Sequence, residues 1–114
     1  MGRMVDAQSA FLLDLCMLIA YATRLGWKVT AGELWRPVEM QKIYVQTGRS
    51  KTMNSDHLKR LAGDLNFFNP KGEYVCSVAE LKEFGDYWEK LHPKNYWGGY
   101  FNSFKDAPHF GRKL

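Results

Sequence analysis

The stretch of residues 54–68 constrains the fold most, because it ends in a run with the alternation of a β-strand. Successive side chains of a strand point to opposite faces, so the apolar positions of this run should face a core. These positions are Leu61, Leu65 and Phe67. Asp64 then lies on the other face with a fixed direction, and His57, in the preceding loop, can fold back over it. The stretch therefore predicts a strand over residues 61–68 that presents a carboxylate beside an imidazole.

A second carboxylate and a second imidazole occur near the C-terminus, in Asp106-Ala-Pro-His109. Pro108 fixes its own backbone and biases Ala107 toward an extended conformation, so both polar side chains should be held rigidly. The first pair alone is weak evidence for a site. However, the chain has only three histidines, and two of them accompany carboxylates. The third, His92, precedes a proline at a predicted helix end and is interpreted as a cap.

These residue types are typical of a metal-dependent hydrolase. Two imidazoles and one carboxylate can bind zinc and leave its fourth position open for water. A second carboxylate beside that water can act as general base. The pattern predicts that four side chains surround one metal ion, without deciding which carboxylate is the ligand. They are His57, Asp64, Asp106 and His109.

Length and composition indicate one folded domain over residues 1–114. Hydrophobic residues make up 46% of the chain, which favours a packed core over disorder. The net charge of +4 suits an anionic partner such as nucleic acid, a membrane surface or a bacterial cell wall. Lysines and arginines are scattered, whereas a nucleic-acid module usually carries a denser basic stripe. Nucleic-acid binding is therefore disfavoured, and DNA binding with a steep salt dependence would be needed to support it.

The apolar segment of residues 11–22 needs a separate interpretation, because it ends in Ala-Tyr-Ala and so resembles a signal peptide. Asp14 lies inside it, and the segment is shorter than the roughly 20 apolar residues that span a bilayer. Its apolar positions follow the spacing of one helix face. They are Phe11, Leu15, Leu18, Ile19, Ala22 and Leu25. We expect a core helix that ends at Gly26, with no signal peptide and no membrane insertion. Cys16 and Cys76 are expected to be buried free thiols, which fits a reducing cytoplasm.

The rest of the chain predicts an α+β domain in which a small antiparallel sheet packs with helices. A strand is expected over residues 27–31, a helix from Pro37 to near Gly48, and a hairpin partner over residues 74–76. Ser77 and Glu80 form a capping-box pattern for a helix that ends near residue 91. Residues 92–110 are interpreted as loop followed by one strand.

Two motifs make the sequence resemble the M15 metallopeptidases. Ser55, His57, Ala62 and Asp64 match the family's Ser-x-His-x-x-Gly-x-Ala-x-Asp motif. The second motif, an acidic residue three positions before histidine, is matched by Asp106 and His109. The family comprises zinc D-Ala-D-Ala carboxypeptidases, dipeptidases and L-alanyl-D-glutamate endopeptidases, and this chain is most similar to its short phage and prophage members. The resemblance implies the hedgehog/DD-peptidase-like fold and a zinc cofactor.

The same resemblance implies a role for each matching residue. The implied zinc ligands are His57, Asp64 and His109. Asp106 is the implied general base, Arg36 holds the substrate or polarises its scissile carbonyl, and Ser55 supports the site or touches the substrate. Two positions depart from the family: Arg60 replaces a glycine, and Gly111 stands where many relatives have glutamate. Arginine in place of glycine at a positive φ would be strained.

Taken together, these features predict a zinc peptidase of the endolysin type, made without a signal peptide, that reaches bacterial peptidoglycan on release from the cell. The L-Ala-D-Glu bond is the expected target, and D-alanyl-D-alanine carboxypeptidase activity is the alternative. A non-catalytic peptidoglycan-binding module of the same fold is a further alternative, but all four catalytic positions are filled. A monomer is expected.

Overall fold

The computed structural model describes residues 2–114, which form three α-helices, two short 3-10 helices and an antiparallel sheet. The α-helices are α1 (Arg3–Arg24), α2 (Val38–Gln46) and α3 (Val78–Leu91). The strands are β1 (Lys28–Ala31), β2 (Ala62–Phe68), β3 (Tyr74–Val75), β4 (Asn95–Trp97) and β5 (His109–Arg112). The 3-10 helices cover Asp56–Lys59 and Gly98–Tyr100. The predicted α+β class is confirmed.

Strand β2 lies at the centre of the sheet, whose order is β1-β2-β5-β4. β1 pairs with the second half of β2, and β5 pairs with the first half of β2 on the opposite edge. β3 adds the short hairpin predicted after β2. The interpretation of residues 92–110 as loop and one strand was wrong, because β4 pairs with β5 through Tyr96↔Gly111 and its neighbours. Three residues are too few to show an alternating pattern in the sequence.

The core lies between α1, α3 and the face of the sheet opposite the polar side chains. Leu65 and Phe67 of β2 are buried on this face, as predicted, and Phe110 of β5 joins them. Aromatic pairs fill the space between sheet and α3: the Phe67 and Phe84 rings stack at 5.0 Å, and Trp88 meets Phe110 edge-on at 6.0 Å. The polar face of β2 and β5 is thereby left for a site.

Trp97 occupies a slot that only glycine neighbours allow. A Cβ atom at Gly85 would lie 2.1 Å from its ring, and one at Gly99 would lie 2.4 Å from it. The indole N–H of Trp97 donates to the carbonyl of Ala107 at 2.7 Å. This bond attaches the segment before β5 to the core.

Helix α1 buries the predicted face, with Phe11, Leu15, Leu18 and Ala22 in the core. Leu25 was expected on that face but is 43% exposed, because the helix ends at Arg24. The helix is long and apolar enough to cross a membrane by length and composition alone, a test that core helices and N-terminal signal sequences also pass. The packing of its four buried residues supports its interpretation as a core helix.

The predicted helix boundaries in the second half of the chain are confirmed. The Ser77 hydroxyl accepts a hydrogen bond from the Glu80 N–H at 3.1 Å and caps α3. His92 follows α3, but its ring accepts from the Lys94 N–H instead of capping helix carbonyls. The two cysteines are free, as predicted, but both are exposed, so their expected burial was wrong. Cys16 lies next to Leu15 on α1, where one step of 100° turns it away from the core.

Replacing Leu18 by alanine should lower the free energy of unfolding by about 2–5 kcal/mol, because its side chain is fully buried in α1. The matched control is Leu13→Ala on the same helix, where the side chain is 63% exposed and the loss should stay within about 0.5 kcal/mol. Urea unfolding of both variants measures the difference. Equal effects of the two substitutions would show that α1 is not a core helix.

Candidate active site

Two strands and a short helix bring three predicted side chains together. Asp64 of β2 and His109 of β5 are direct cross-strand partners, so their side chains leave the sheet on the same face. His57 lies in the 3-10 helix Asp56–Lys59, immediately before β2. Both histidines are buried, and Asp64 is half-buried. The structure therefore places all three at one point on the polar face of the sheet.

The side-chain atoms of this group form a nearly equilateral triangle. His57 Nε2 lies 3.3 Å from Asp64 Oδ1 and 3.1 Å from His109 Nδ1, and His109 Nδ1 lies 3.5 Å from Asp64 Oδ1. A tetrahedral zinc ion with bonds of about 2.0–2.1 Å keeps its ligand atoms about 3.3 Å apart. The spacing of the three atoms fits such an ion.

One polar atom of the triangle also lacks the hydrogen-bond partner that burial normally demands. Asp64 Oδ1 is buried without a hydrogen-bond partner, although both rings approach it closely. Burial would raise the pKa of Asp64, but its contacts with His109 and His57 outweigh this effect and hold the pKa well below its ordinary value. A buried carboxylate oxygen facing two imidazole nitrogens is the donor set of a cation site, so the residues fit zinc.

Ser55 and Arg60 border the turn that carries His57. The Ser55 hydroxyl accepts a hydrogen bond from the His57 N–H at 3.2 Å and caps the 3-10 helix. Arg60 ends that helix in the left-handed conformation, with φ 57°, at the position where the family has glycine. Its guanidinium lies 4.6 Å over the Trp35 ring, a cation–π contact that offsets part of the strain. The turn keeps the geometry of a glycine turn although it contains arginine.

Asp106 is held by its backbone at the mouth of the site. Its N–H donates to the Gly98 carbonyl at 3.0 Å, and its carbonyl accepts from the His109 N–H at 3.0 Å. Residues 106–109 thus form a closed turn around Pro108, which fixes the position of Asp106 relative to His109. The Pro108 carbonyl accepts from the Leu65 N–H, and this bond attaches the turn to β2. Glycine is required at position 98, because a Cβ atom there would lie 2.2 Å from the backbone carbonyl oxygen of Asp106.

The Asp106 carboxylate lines the same cleft as the triangle but is not one of its three convergent atoms. Asp106 is exposed, so water reaches its carboxylate. Desolvation by the surrounding protein and the negative charge of Asp64 raise its pKa, against the opposing effect of the histidines. A carboxylate with a raised pKa is a stronger proton acceptor, which suits a general base.

Arg36 lies in the wall of the cleft with its orientation fixed. Nε donates to Glu33 Oε1 at 2.6 Å, Nη2 lies 2.5 Å from the same oxygen, and Nη1 donates to Gln41 Oε1 at 2.7 Å. The guanidinium also lies 4.6 Å over the Tyr44 ring. These contacts use three of its five N–H donors and leave two. The predicted substrate contact is compatible with this arrangement.

Gln41 connects Arg36 to the loop beside the site. Its side chain is fully buried, and its amide donates to Ser50 Oγ at 2.9 Å and to the Thr52 carbonyl at 2.6 Å. Its buried amide accounts for the position, because every polar group of the side chain is used.

Tyr96 and Asp56 are functional candidates that sequence reasoning missed. The Tyr96 hydroxyl donates to Asp56 Oδ2 at 2.5 Å and lies 3.3 Å from His109 Nε2. Burial and the contact with Asp56 raise the pKa of Tyr96, so the hydroxyl keeps its proton. Tyr96 could have been found only by recognising β4, and Asp56 only by its position next to His57.

The cleft has a volume of about 660 Å³ and is acidic at its base and basic along one rim. The rim cations are Arg49, over the Tyr44 ring at 4.5 Å, and Lys51, over the Phe104 ring at 4.1 Å. Within residues 2–114, neither cation has a carboxylate at ion-pair distance. The rim can therefore accept an anionic group of a ligand.

A sequence profile of peptidase family M15, described as D-alanyl-D-alanine carboxypeptidase, matches residues 48–112. The chain belongs to the M15 peptidase family. The predicted family is confirmed, and the matched region contains the triangle and Asp106 but not Arg36. No curated protein sequence matches the chain significantly.

Among solved structures, the M15 chain is similar to the L-Ala D-Glu endopeptidase ChiX of Serratia marcescens. The TM-score is 0.70, the sequence identity is 24%, and the match covers 98% of this chain and 87% of ChiX. At this identity the similarity establishes the fold, and it confirms the fold predicted from the two motifs.

Proposed function

We propose that this M15 peptidase is zinc-dependent and hydrolyses the stem peptides of bacterial peptidoglycan, with the L-Ala-D-Glu bond as its target. The observation that carries the proposal is the triangle of His57, Asp64 and His109 atoms, 3.1–3.5 Å apart, beside the Asp106 carboxylate. A closed structural metal site would need a fourth protein ligand, whereas these three leave one side open to the cleft.

The residues around the triangle then have separate tasks. Zinc held by the three ligands would supply Lewis acidity and bring the pKa of a water molecule to about 7. Asp106 accepts the proton of the attacking water and passes it to the departing amine. Arg36, fixed by Glu33 and Gln41, orients the scissile carbonyl and opposes the negative charge that develops on its oxygen. Ser55 keeps the His57 turn in place.

The charge distribution of the cleft supports an anionic peptide as substrate. Stem peptides carry free carboxylates close to the bonds that peptidases cut. On the rim, Arg49 and Lys51 offer two cations that have no carboxylate partner within residues 2–114. The net charge of +4 also favours approach to an anionic cell wall. The L-Ala-D-Glu bond is preferred because the base is aspartate, as in the endopeptidases that the sequence resembles, and because the similar structure is an L-Ala D-Glu endopeptidase.

D-alanyl-D-alanine carboxypeptidase activity is the second candidate. It is supported by the description of the matching family profile. The same zinc ligands and base would serve either reaction, so the distinction depends on which stem-peptide carboxylate the cationic rim binds.

The proposed biological setting is that of a phage or prophage endolysin. We propose that the enzyme is made in the bacterial cytoplasm, acts as a monomer that does not insert into the membrane, and reaches the wall when lysis machinery opens the inner membrane. The net charge of +4 would favour binding of this domain to the anionic wall.

Digestion of purified peptidoglycan should yield new amino termini on D-glutamate, identified by mass spectrometry of the released peptides. A chelator should abolish the reaction, and added zinc should restore it. Release of free D-alanine without new D-glutamate termini would show that the protein is a D-alanyl-D-alanine carboxypeptidase and not an L-Ala-D-Glu endopeptidase. Binding to peptidoglycan without any cleavage in the presence of zinc would instead identify a non-catalytic module.

Asp106→Asn should lower kcat by about 100- to 10,000-fold, because the amide keeps the shape of the side chain but cannot accept a proton. Zinc content should stay unchanged, whereas Asp64→Asn should weaken zinc binding itself. The matched control is Asp86→Asn on α3, whose carboxylate pairs with Lys82 outside the cleft. Loss of zinc from Asp106→Asn, or retention of nearly full activity, would contradict the assigned role.

A further inference from the structure

The Tyr96 ring is placed against the zinc-site face by its strand. β4 pairs with β5 so that Tyr96 lies directly opposite Gly111, two residues after His109 and on the same face. A Cβ atom at position 111 would lie 2.3 Å from Tyr96 Cζ and from its hydroxyl oxygen. The tyrosine ring therefore fills the volume that a side chain at position 111 would need. This accounts for glycine at position 111.

The hydroxyl of Tyr96 lies between two groups with different hydrogen-bonding abilities. It is 2.5 Å from Asp56 Oδ2 and 3.3 Å from His109 Nε2. A carboxylate only accepts hydrogen bonds, so the single hydroxyl proton is donated to Asp56. The tyrosine oxygen is then left as an acceptor toward His109. The contact is satisfied only if Nε2 carries the imidazole proton.

The other ring nitrogen of His109 is the one that faces the triangle. Nδ1 lies 3.1 Å from His57 Nε2 and 3.5 Å from Asp64 Oδ1. A metal ligand must offer an unprotonated nitrogen, and the hydrogen bond of the opposite nitrogen decides which one is unprotonated. The contacts of Tyr96 thus select the tautomer that metal binding requires.

Asp56 is itself fixed, so this arrangement is more than one loose hydrogen bond. Its side chain is 9% exposed, and its oxygens lie 3.8 Å from Lys59 Nζ and 3.7 Å from Lys113 Nζ. Its carbonyl accepts from the N–H of Leu61, immediately before β2. Asp56 also precedes His57 directly, so the chain Asp56–Tyr96–His109 joins the turn of one ligand to the strand of another.

We propose that Asp56 and Tyr96 are positioning residues that hold His109 in the Nε2-protonated tautomer with Nδ1 directed at the metal. The inference rests on the proposed zinc function and extends it to residues outside the ligand set. Conserved partners of metal-binding histidines typically change metal affinity by about 10- to 100-fold when removed.

The test is Tyr96→Phe, which removes the hydroxyl and keeps the ring. Zinc affinity, measured by competition with a chromophoric chelator, should fall by about 10- to 100-fold. In the metal-free protein, ¹⁵N NMR of the imidazole nitrogens should show His109 protonated on Nε2, and in the variant that preference should be lost. Neither readout requires peptidase activity. If the unmodified protein cuts no peptidoglycan but Tyr96→Phe still lowers zinc affinity and changes the His109 tautomer, this inference is supported although the proposed function fails.

The matched control is Tyr100→Phe, which deletes a hydroxyl that also bonds an aspartate, Asp86, but lies outside the cleft. It should leave zinc affinity and the His109 tautomer unchanged. Asp56→Asn provides a second route if Tyr96→Phe does not fold: it keeps an acceptor oxygen, removes its charge, and should weaken zinc binding less than Tyr96→Phe. Unchanged zinc affinity and an unchanged His109 tautomer in a folded Tyr96→Phe or Asp56→Asn protein would overturn the proposal.

Discussion

The pairing of β2 with β5 is the interaction on which the site depends. It makes Asp64 and His109 direct cross-strand partners, and in the same register Gly63 faces Phe110. Because side chains alternate, the pairing places the two polar groups on one face while Leu65 and Phe110 enter the core from the other. A shift of one residue would bury the carboxylate and expose the core. The hydrophobic core therefore fixes the register, and the register fixes the distance between two of the three candidate ligands.

The remaining parts of the site are attached to this pair by backbone contacts more than by side chains. The Asp106 turn is held by Gly98 and by the Pro108–Leu65 bond, and Trp97 fastens the same segment through the Ala107 carbonyl. His57 is presented by a turn that Ser55 caps. This construction suits catalysis, since a proton acceptor is useful only when its distance from the reacting atoms is set in advance.

Local signals in the sequence were sufficient for the helices, for β2 and for the motif residues. The spacing of Phe11, Leu15, Leu18 and Ala22 indicated the buried face of α1, and Ser77 indicated the start of α3. Contacts between distant segments could not be read in this way. β4 is too short to show a period, so the position of Tyr96 beside His109 was hidden. The burial of Cys16 was misjudged although the spacing along α1 places it beside the buried face, and Cys76 follows the two-residue strand β3, where no period is visible. The family motifs identified His57, Asp64, Asp106 and His109, but only the fold shows that three of them converge.

The central claim is that His57, Asp64 and His109 together hold one metal ion. Elemental analysis of the purified protein after dialysis tests it most directly, with His57→Ala as the variant and His92→Ala as the control at the one histidine outside the site. The account predicts one zinc per chain in the unmodified protein and in His92→Ala, and almost none in His57→Ala. Protein that hydrolyses cell walls with no bound metal, or a His57→Ala variant that retains its zinc, would contradict it.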